Sequence, residues 1–142
     1  MSEEYKPGMM GAWPQSILVV EDERTMRMII KRIIMRLGVS CVREASDGGR
    51  ALTILKDTPV DLVVTDWSMP SINGIELLYL MHQDEELKDI PVLFLTARTD
   101  VRSVEQAIGA GANGYIVKPF TPALLEHKLK EMFVARLPPD GR

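Results

Sequence analysis

Leu62-Val63-Val64-Thr65-Asp66-Trp67-Ser68-Met69-Pro70 is the stretch that decides the fold. An uncharged, β-branched run stops at a carboxylate, and Ser68, Met69 and Pro70 open a loop directly after it. A run this short and this apolar reads as a strand buried on both faces, the habit of parallel sheets. The pattern recurs at Ile17-Leu18-Val19-Val20, which runs into Glu21 and Asp22. Strands of one parallel sheet that end in acids bring those acids to its carboxyl edge, where open α/β sheets bind ligands. Three acids gathered there repel one another, and a cation is the usual remedy.

Working outward from these two runs, the chain alternates strand and helix from Ser16 on. Strands are expected over Ser16–Val20, Val39–Ala45, Leu62–Thr65, Val92–Leu95 and Gly114–Val117. The first helix carries Met26, Ile29, Ile30, Ile33, Ile34 and Leu37 at amphipathic spacing, and Gly38 ends it. Further helices are expected from Asp47-Gly48 to Lys56, Ile75 to Gln83, Val101 to Ala110 and Pro122 to Ala135. The second strand is mixed and the fifth is short, so these two suit the edges. The order 2-1-3-4-5 then places strands one and three side by side, with their acids at the switch point.

The chain's 142 residues suit one domain. Hydrophobic residues make up 46% and charged residues 26%, an ordinary globular balance. A net charge of −3 argues against a general grip on nucleic acid. Cys41 is the only cysteine, which excludes an intrachain disulfide and a cysteine-based metal cluster. No apolar run approaches the ~20 residues that span a bilayer, and the start lacks a secretory pattern. The cytoplasm is the expected location. Residues 1–15, with Pro7, Gly8, Gly11 and Pro14 and no periodicity, read as a flexible extension. Trp13 and Met9-Met10 are its groups able to dock on a partner or on the domain. The domain is expected over 16–136, with a short tail at 137–142.

The acids and their neighbours read as phosphoryl chemistry. An aspartate can be a covalent nucleophile toward phosphorus, and the transfer needs mainly positioning and neutralisation of oxygens. Asp66 is the candidate nucleophile. Asp22 would share a Mg²⁺ ion with it, and Glu21 would hold a metal-bound water. Lys118 brings a point charge to a phosphoryl oxygen, Thr96 brings a hydroxyl, and Ala97 leaves room for the incoming group. Singly, each has a plainer reading: an Asp after a strand is usually a cap or turn former. Their joint placement after strands one, three, four and five carries the functional reading. The glycine-rich Gly109-Ala110-Gly111-Ala112-Asn113-Gly114 precedes a strand and reads as a turn, not a phosphate loop. His82 and His127 read as surface residues and Cys41 as a small buried group.

Val19-Val20-Glu21-Asp22-Glu23, Asp66-Trp67-Ser68-Met69-Pro70, Leu95-Thr96-Ala97 and Val117-Lys118-Pro119-Phe120 stand in this order on the right strands. From Ser16 to Phe133 the chain resembles the receiver domain of two-component response regulators. Thr25-Met26-Arg27, Asp66-Trp67 and Gly111-Ala112-Asn113-Gly114-Tyr115 make it most similar to single-domain chemotaxis regulators of the CheY type. The resemblance implies a flavodoxin-like (βα)5 three-layer α/β sandwich. For that fold 2-1-3-4-5 is the known order, CheY included, and not an independent deduction.

The resemblance also implies roles. Asp66 takes a phosphoryl group from a sensor histidine kinase, and Asp22, Asp66 and the Ser68 backbone carbonyl bind Mg²⁺, Glu21 assisting through water. Thr96 and Lys118 contact the phosphoryl oxygens, and Tyr115 follows Thr96 as a switch. It further implies a cis Lys118–Pro119 bond, which a tight turn there would also favour. Glu21 stands where Asp is commoner, and Asn73 where Asp is frequent. Ser68, Arg98 and Glu23 occupy variable positions around the site. Leu137–Arg142 are too few for a further module, so output is expected through protein contact. The expected target is a flagellar motor switch protein, or else a phosphotransfer protein in a relay. No nucleic acid, no membrane, a monomer and no enzymatic turnover are expected. An aspartyl-phosphate phosphatase is the weaker alternative, because Ser68 stands where such enzymes usually carry a second Asp.

Overall fold

Side chains of the inner strands alternate between two apolar cores, and this alternation makes the sheet the middle of three layers. The computed structural model describes residues 13–133. β1 (Ser16–Val20), β2 (Cys41–Ala45), β3 (Leu62–Thr65), β4 (Val92–Thr96) and β5 (Gly114–Val117) form one parallel sheet in the order β2-β1-β3-β4-β5. Ile17, Val19, Leu62, Val64, Leu93, Leu95 and Ile116 belong to one core. Ile30 and Ile34 of α1 (Arg24–Arg36) and Leu125, Leu129 and Phe133 of α5 (Pro122–Phe133) complete it. Leu18, Val20, Val63, Val92 and Phe94 belong to the other. Its helices are α2 (Gly48–Asp57), α3 (Gly74–His82) and α4 (Val101–Gly109), through Ala51, Leu55, Leu77, Leu78, Met81 and Ala107.

The starts of the helices that follow β2, β3 and β4 are set by short polar side chains. Asp47 accepts from the Arg50 N–H (2.8 Å), and Asp100 accepts from the Ser103 N–H (3.0 Å). Asn73 and Glu76 form a reciprocal capping box at α3, both bonds 2.9 Å. Asn therefore serves the turn before Gly74 as a cap. Gly38, at φ 94°, lets the chain leave α1 in the left-handed region. Val39, expected to open β2, is buried in the α1/α5 core but lies outside the ladder. Pairing begins at Cys41, opposite Ser16, because β1 begins there.

Four sequence expectations shift. Ile29 was placed on the inner stripe of α1 but is 44% exposed. Ile30 and Ile34 point straight into the core, and one residue earlier the helix has turned by ~100° toward solvent. Cys41 is half-buried rather than buried, being on an edge strand, and His82 is half-buried beside Gly111. Trp13, assigned to a flexible extension, is 4% exposed in the α1/α5 core and donates its indole N–H to the Leu37 carbonyl (3.2 Å). The packed unit thus includes Trp13. Residues 1–12 and 134–142, with Ala135 and the expected tail, lie outside the described residues.

β2 is tied to α1 by charge. Arg27 Nε donates to Glu44 Oε1 and Lys31 Nζ to Glu44 Oε2, both at 3.0 Å. Lys31, against some burial cost and with help from Arg27, holds the Glu44 carboxyl below its ordinary 4.5. Its stabilisation is therefore fully present above about pH 4.5 and is lost as pH falls through the folded value. Glu44→Gln should cost about 0.5–1 kcal/mol at neutral pH, with the difference from the parent closing in acid. Urea unfolding at stepped pH measures it, and a deficit that persists unchanged in acid refutes it. Trp13→Ala should cost about 3 kcal/mol or more by the same assay. A loss below about 1 kcal/mol would mean that the ring merely rests on the surface.

Candidate functional site

Register carries the candidate residues to one edge. Val20 pairs with Thr65, and Thr96 pairs with Val117. Each ladder extends one step: the Asp66 N–H donates to the Val20 carbonyl (3.0 Å) and the Lys118 N–H to the Thr96 carbonyl (2.8 Å). Glu21 and Asp22 follow β1, Asp66 follows β3, Thr96 ends β4 with Ala97 next to it, and Lys118 follows β5. The Lys118–Pro119 bond is cis.

Carboxylate oxygens of Glu21, Asp22 and Asp66 lie within 4.8 Å of one another. Glu21 is 2% exposed, Asp66 is half-buried and Asp22 is open to solvent. The Lys118 ammonium donates to Glu21 Oε1 (2.7 Å) and to Asp66 Oδ2 (3.0 Å). Glu21 Oε2 accepts from the Glu23 N–H (3.0 Å), and Asp66 Oδ1 accepts from the Trp67 N–H. Burial pushes the Glu21 carboxyl up, against the bonds from Lys118 and Glu23. Burial would push the Lys118 ammonium down, but its bonds to Glu21 and Asp66 outweigh that and hold it above its ordinary value. One ammonium faces three carboxyl groups here. Hard oxygen donors with a solvent-facing member suit Mg²⁺, which keeps part of its water shell. The residues present fit that ion.

The loop bearing Asp66 is held from beneath. The Thr65 hydroxyl donates to the Asp66 carbonyl (2.8 Å), and the Gly74 N–H donates to the Trp67 carbonyl (2.8 Å). A Cβ on Gly74 would overlap the Asp66 carbonyl, so only glycine lets α3 start so close beneath the loop. Ser68 is exposed on this loop, and Ala97 is exposed beside buried Thr96.

Thr96 Oγ1 accepts from the Arg98 N–H (3.4 Å). The half-buried Tyr115 pairs with Phe94 in the ladder and stacks on it, centroids 6.0 Å apart and planes 10° apart. Its hydroxyl donates to the Arg98 carbonyl (3.0 Å). Burial and the charge of Asp100 push the Tyr115 hydroxyl up. Thr96 and Tyr115 are thus connected through the main chain of Arg98.

Sequence reasoning assembled Glu21, Asp22, Asp66, Thr96, Ala97 and Lys118 at one edge, and the structure places them there. It missed Arg27, whose guanidinium donates to the Glu21 carbonyl (2.8 Å) while pairing with Glu44. It also missed the Arg98 guanidinium over the Trp67 ring, 4.8 Å from its centroid. The sequence signals for Arg27 were its place in the first turns of α1 and in the Thr25-Met26-Arg27 motif. For Arg98 it was proximity to Thr96, and neither told which way the side chain points.

The sequence model of the response regulator receiver domain matches residues 17–130. The chain is 50% identical over 117 residues to the chemotaxis protein CheY-3 of Vibrio cholerae, covering 82% of this chain and 90% of that protein. A solved putative response regulator from Chloroflexus aurantiacus superposes with a TM-score of 0.79 at 31% identity, covering 87% of this chain and 99% of that one. The receiver domain of a Pseudomonas aeruginosa sensor histidine kinase, solved with a magnesium ion coordinated in its active site cleft, gives 0.76 at 28% identity, covering 84% and 97%. Site geometry, fold and sequence agree: this chain belongs to the response regulator receiver domain family, as a CheY-like member.

Proposed function

We propose that the protein is a phosphorylation-dependent signalling switch of a two-component system, acting in the cytoplasm as a monomer in chemotaxis. The carrying observation is Lys118 bridging Glu21 and Asp66 inside a cluster of three carboxylates at the sheet's carboxyl edge. Asp22, Asp66 and the Ser68 carbonyl would hold Mg²⁺, with Glu21 reaching it through water. Bound there, the ion would supply positive charge to the phosphoryl oxygens.

The remaining chemistry belongs to the chain. An Asp66 carboxylate oxygen attacks the phosphorus of a kinase phosphohistidine. The P–N bond breaks, its electron pair stays on the imidazole nitrogen, and an O–P bond forms. The Lys118 ammonium, already on Asp66 Oδ2, moves to a phosphoryl oxygen and keeps its charge paired. Thr96 turns its hydroxyl to a second oxygen, and Ala97 keeps the mouth narrow-walled but unblocked. Thr96 and Tyr115 both bond to the main chain of Arg98. Movement of Thr96 therefore reaches Tyr115 through the β4–α4 loop.

The outward face of α4, β5 and α5 fits the partner-binding role. It carries exposed Val101 and Ile108 on α4 and Leu124 on α5, with half-buried Tyr115. Protein partners, a sensor kinase before and a flagellar motor switch protein after, suit it better than nucleic acid at net charge −3. The V. cholerae relative's role in chemotaxis supports the motor. A relay carrier delivering to a phosphotransfer protein is the alternative. An enzyme acting on small phosphomonoesters is disfavoured, because exposed Ser68 offers no acid/base carboxyl two residues after Asp66.

Incubation with a small phosphodonor should label Asp66 alone, and chelation of divalent ions should stop it. Labelling that survives Asp66→Asn at full yield, or that ignores chelator, sinks the reading. Lys128→Glu on α5 should reverse a surface charge that now pairs with Glu131 at 3.0 Å. The variant should weaken phosphorylation-dependent partner binding by about fivefold or more while Asp66 labelling stays near the parent's. If binding loss maps instead to α1 and the site loops, the protein is a relay carrier that meets its partner at Asp66.

A further inference from the structure

Arg27 bonds to the main chain beside the acidic cluster and to none of its three carboxylates. Its Nη1 donates to the Glu21 carbonyl (2.8 Å), and its Nε donates to Glu44 Oε1 (3.0 Å). The side chain is 17% exposed, so this fork lies largely out of water. Lys31 donates to the other Glu44 oxygen (3.0 Å), and Arg24 and Arg32 border the same groove between α1 and β2. On the other side of Glu21, its own N–H donates to the Ala45 carbonyl (3.0 Å). Both peptide units that flank Glu21 are therefore tied to the end of β2, one directly and one through Arg27 and Glu44. The second unit carries the Cα of Asp22, because a peptide is planar from one Cα to the next. The Asp22 carboxylate is exposed and has no side-chain partner among the described residues, so the backbone alone aims it.

We propose that Arg27 is a positioning residue for the cation site: its fork fixes the Glu21–Asp22 peptide unit, keeps the Asp22 carboxylate within 4.8 Å of those of Glu21 and Asp66, and so raises affinity for Mg²⁺. The inference rests on the reading of Glu21, Asp22 and Asp66 as the Mg²⁺ site. The sign of the effect separates position from charge. Arg27 is itself a cation beside the cluster, so its charge alone opposes the binding of another. Its positional effect runs the other way, because Mg²⁺ demands near-ideal octahedral geometry and tolerates a misdirected carboxylate poorly. Groups that orient metal ligands without touching the metal typically change affinity by about 10–100-fold. A planar guanidinium can hold a carbonyl and a carboxylate at once in a fixed geometry, which the point charge of a lysine does not reproduce. Lys31 keeps Glu44 paired when Arg27 is replaced, so the substitution strands no carboxylate.

Chemical-shift titration of the backbone amides with MgCl2, at constant ionic strength and without phosphodonor, reads the site in the full chain. In the parent, the amides of Asp22, Glu23 and Trp67 should shift together with one dissociation constant; the Trp67 N–H reports because it donates to Asp66. Arg27→Ala should raise that constant about tenfold. Its Asp22 amide should be displaced already in the metal-free protein, with the amides of β3 and α5 unmoved as the folding control. Arg27→Lys, which keeps the charge and loses the fork, should also bind more weakly than the parent. Lys31→Gln removes a positive charge from the same Glu44 but leaves the bond to the Glu21 carbonyl, so it should bind Mg²⁺ at least as tightly as the parent. Arg27→Ala with parental or tighter affinity overturns the proposal. So does Arg27→Lys at parental affinity, or a loss in Lys31→Gln as large as that in Arg27→Ala. A parent in which Mg²⁺ shifts none of these amides overturns the cation-site reading instead. The metal-free comparison then decides the positioning, and an Asp22 amide unmoved in Arg27→Ala overturns it.

Discussion

The two bonds of the Lys118 ammonium, to Glu21 at 2.7 Å and Asp66 at 3.0 Å, are the contact around which the rest of the structure is arranged. A half-buried ammonium and a buried carboxylate are each costly alone, and an unpaired member would be strongly destabilising. They are tolerable here because β1, β3 and β5 end at one level and deliver the three groups together. Even so, the site keeps excess negative charge, with Asp22 facing water. A cation or a group that draws Lys118 away finds a set of oxygens already in place. The fold holds these charges close without satisfying them.

Holding them requires a rigid floor. The carboxyl ends of β1 and β3 belong to strands buried on both faces, and each adjoining loop is tied down separately. The loop after β1 is held by Arg27 on the Glu21 carbonyl, and the loop after β3 by Thr65 and by Gly74 beneath it. The loop after β4 is different. Its ties run through exposed Arg98, by contacts of 3.4 Å, a ring stack and the Tyr115 hydroxyl on its carbonyl at 3.0 Å, and through the Asp100 cap of α4. Rigid loops carry the acids and a loosely held one leads to α4 and Tyr115.

Much of this was legible in the chain. Unbroken apolar runs at 17–20, 62–65 and 92–95 specify strands with two buried faces, and their terminal acids specify a common edge. Asp47 and Pro122 mark helix starts by local chemistry that needs no tertiary partner. Where the reading slipped, a neighbour decided. Ile29 has the same side chain as Ile30 and differs only in which flank of α1 the sheet covers. Trp13 sits among Pro and Gly residues that look like a tail, yet a core gap between α1 and α5 receives its ring.

The sequence by itself determined the order of elements, the sheet's buried character, and which acids, lysine and threonine would meet, because period-two burial and strand ends are local properties. Tertiary structure alone decided the contacts of long side chains: Arg27 on the Glu21 carbonyl, Arg98 on Trp67, Trp13 on the Leu37 carbonyl. A flexible side chain can reach in many directions, and only the packed neighbours choose one.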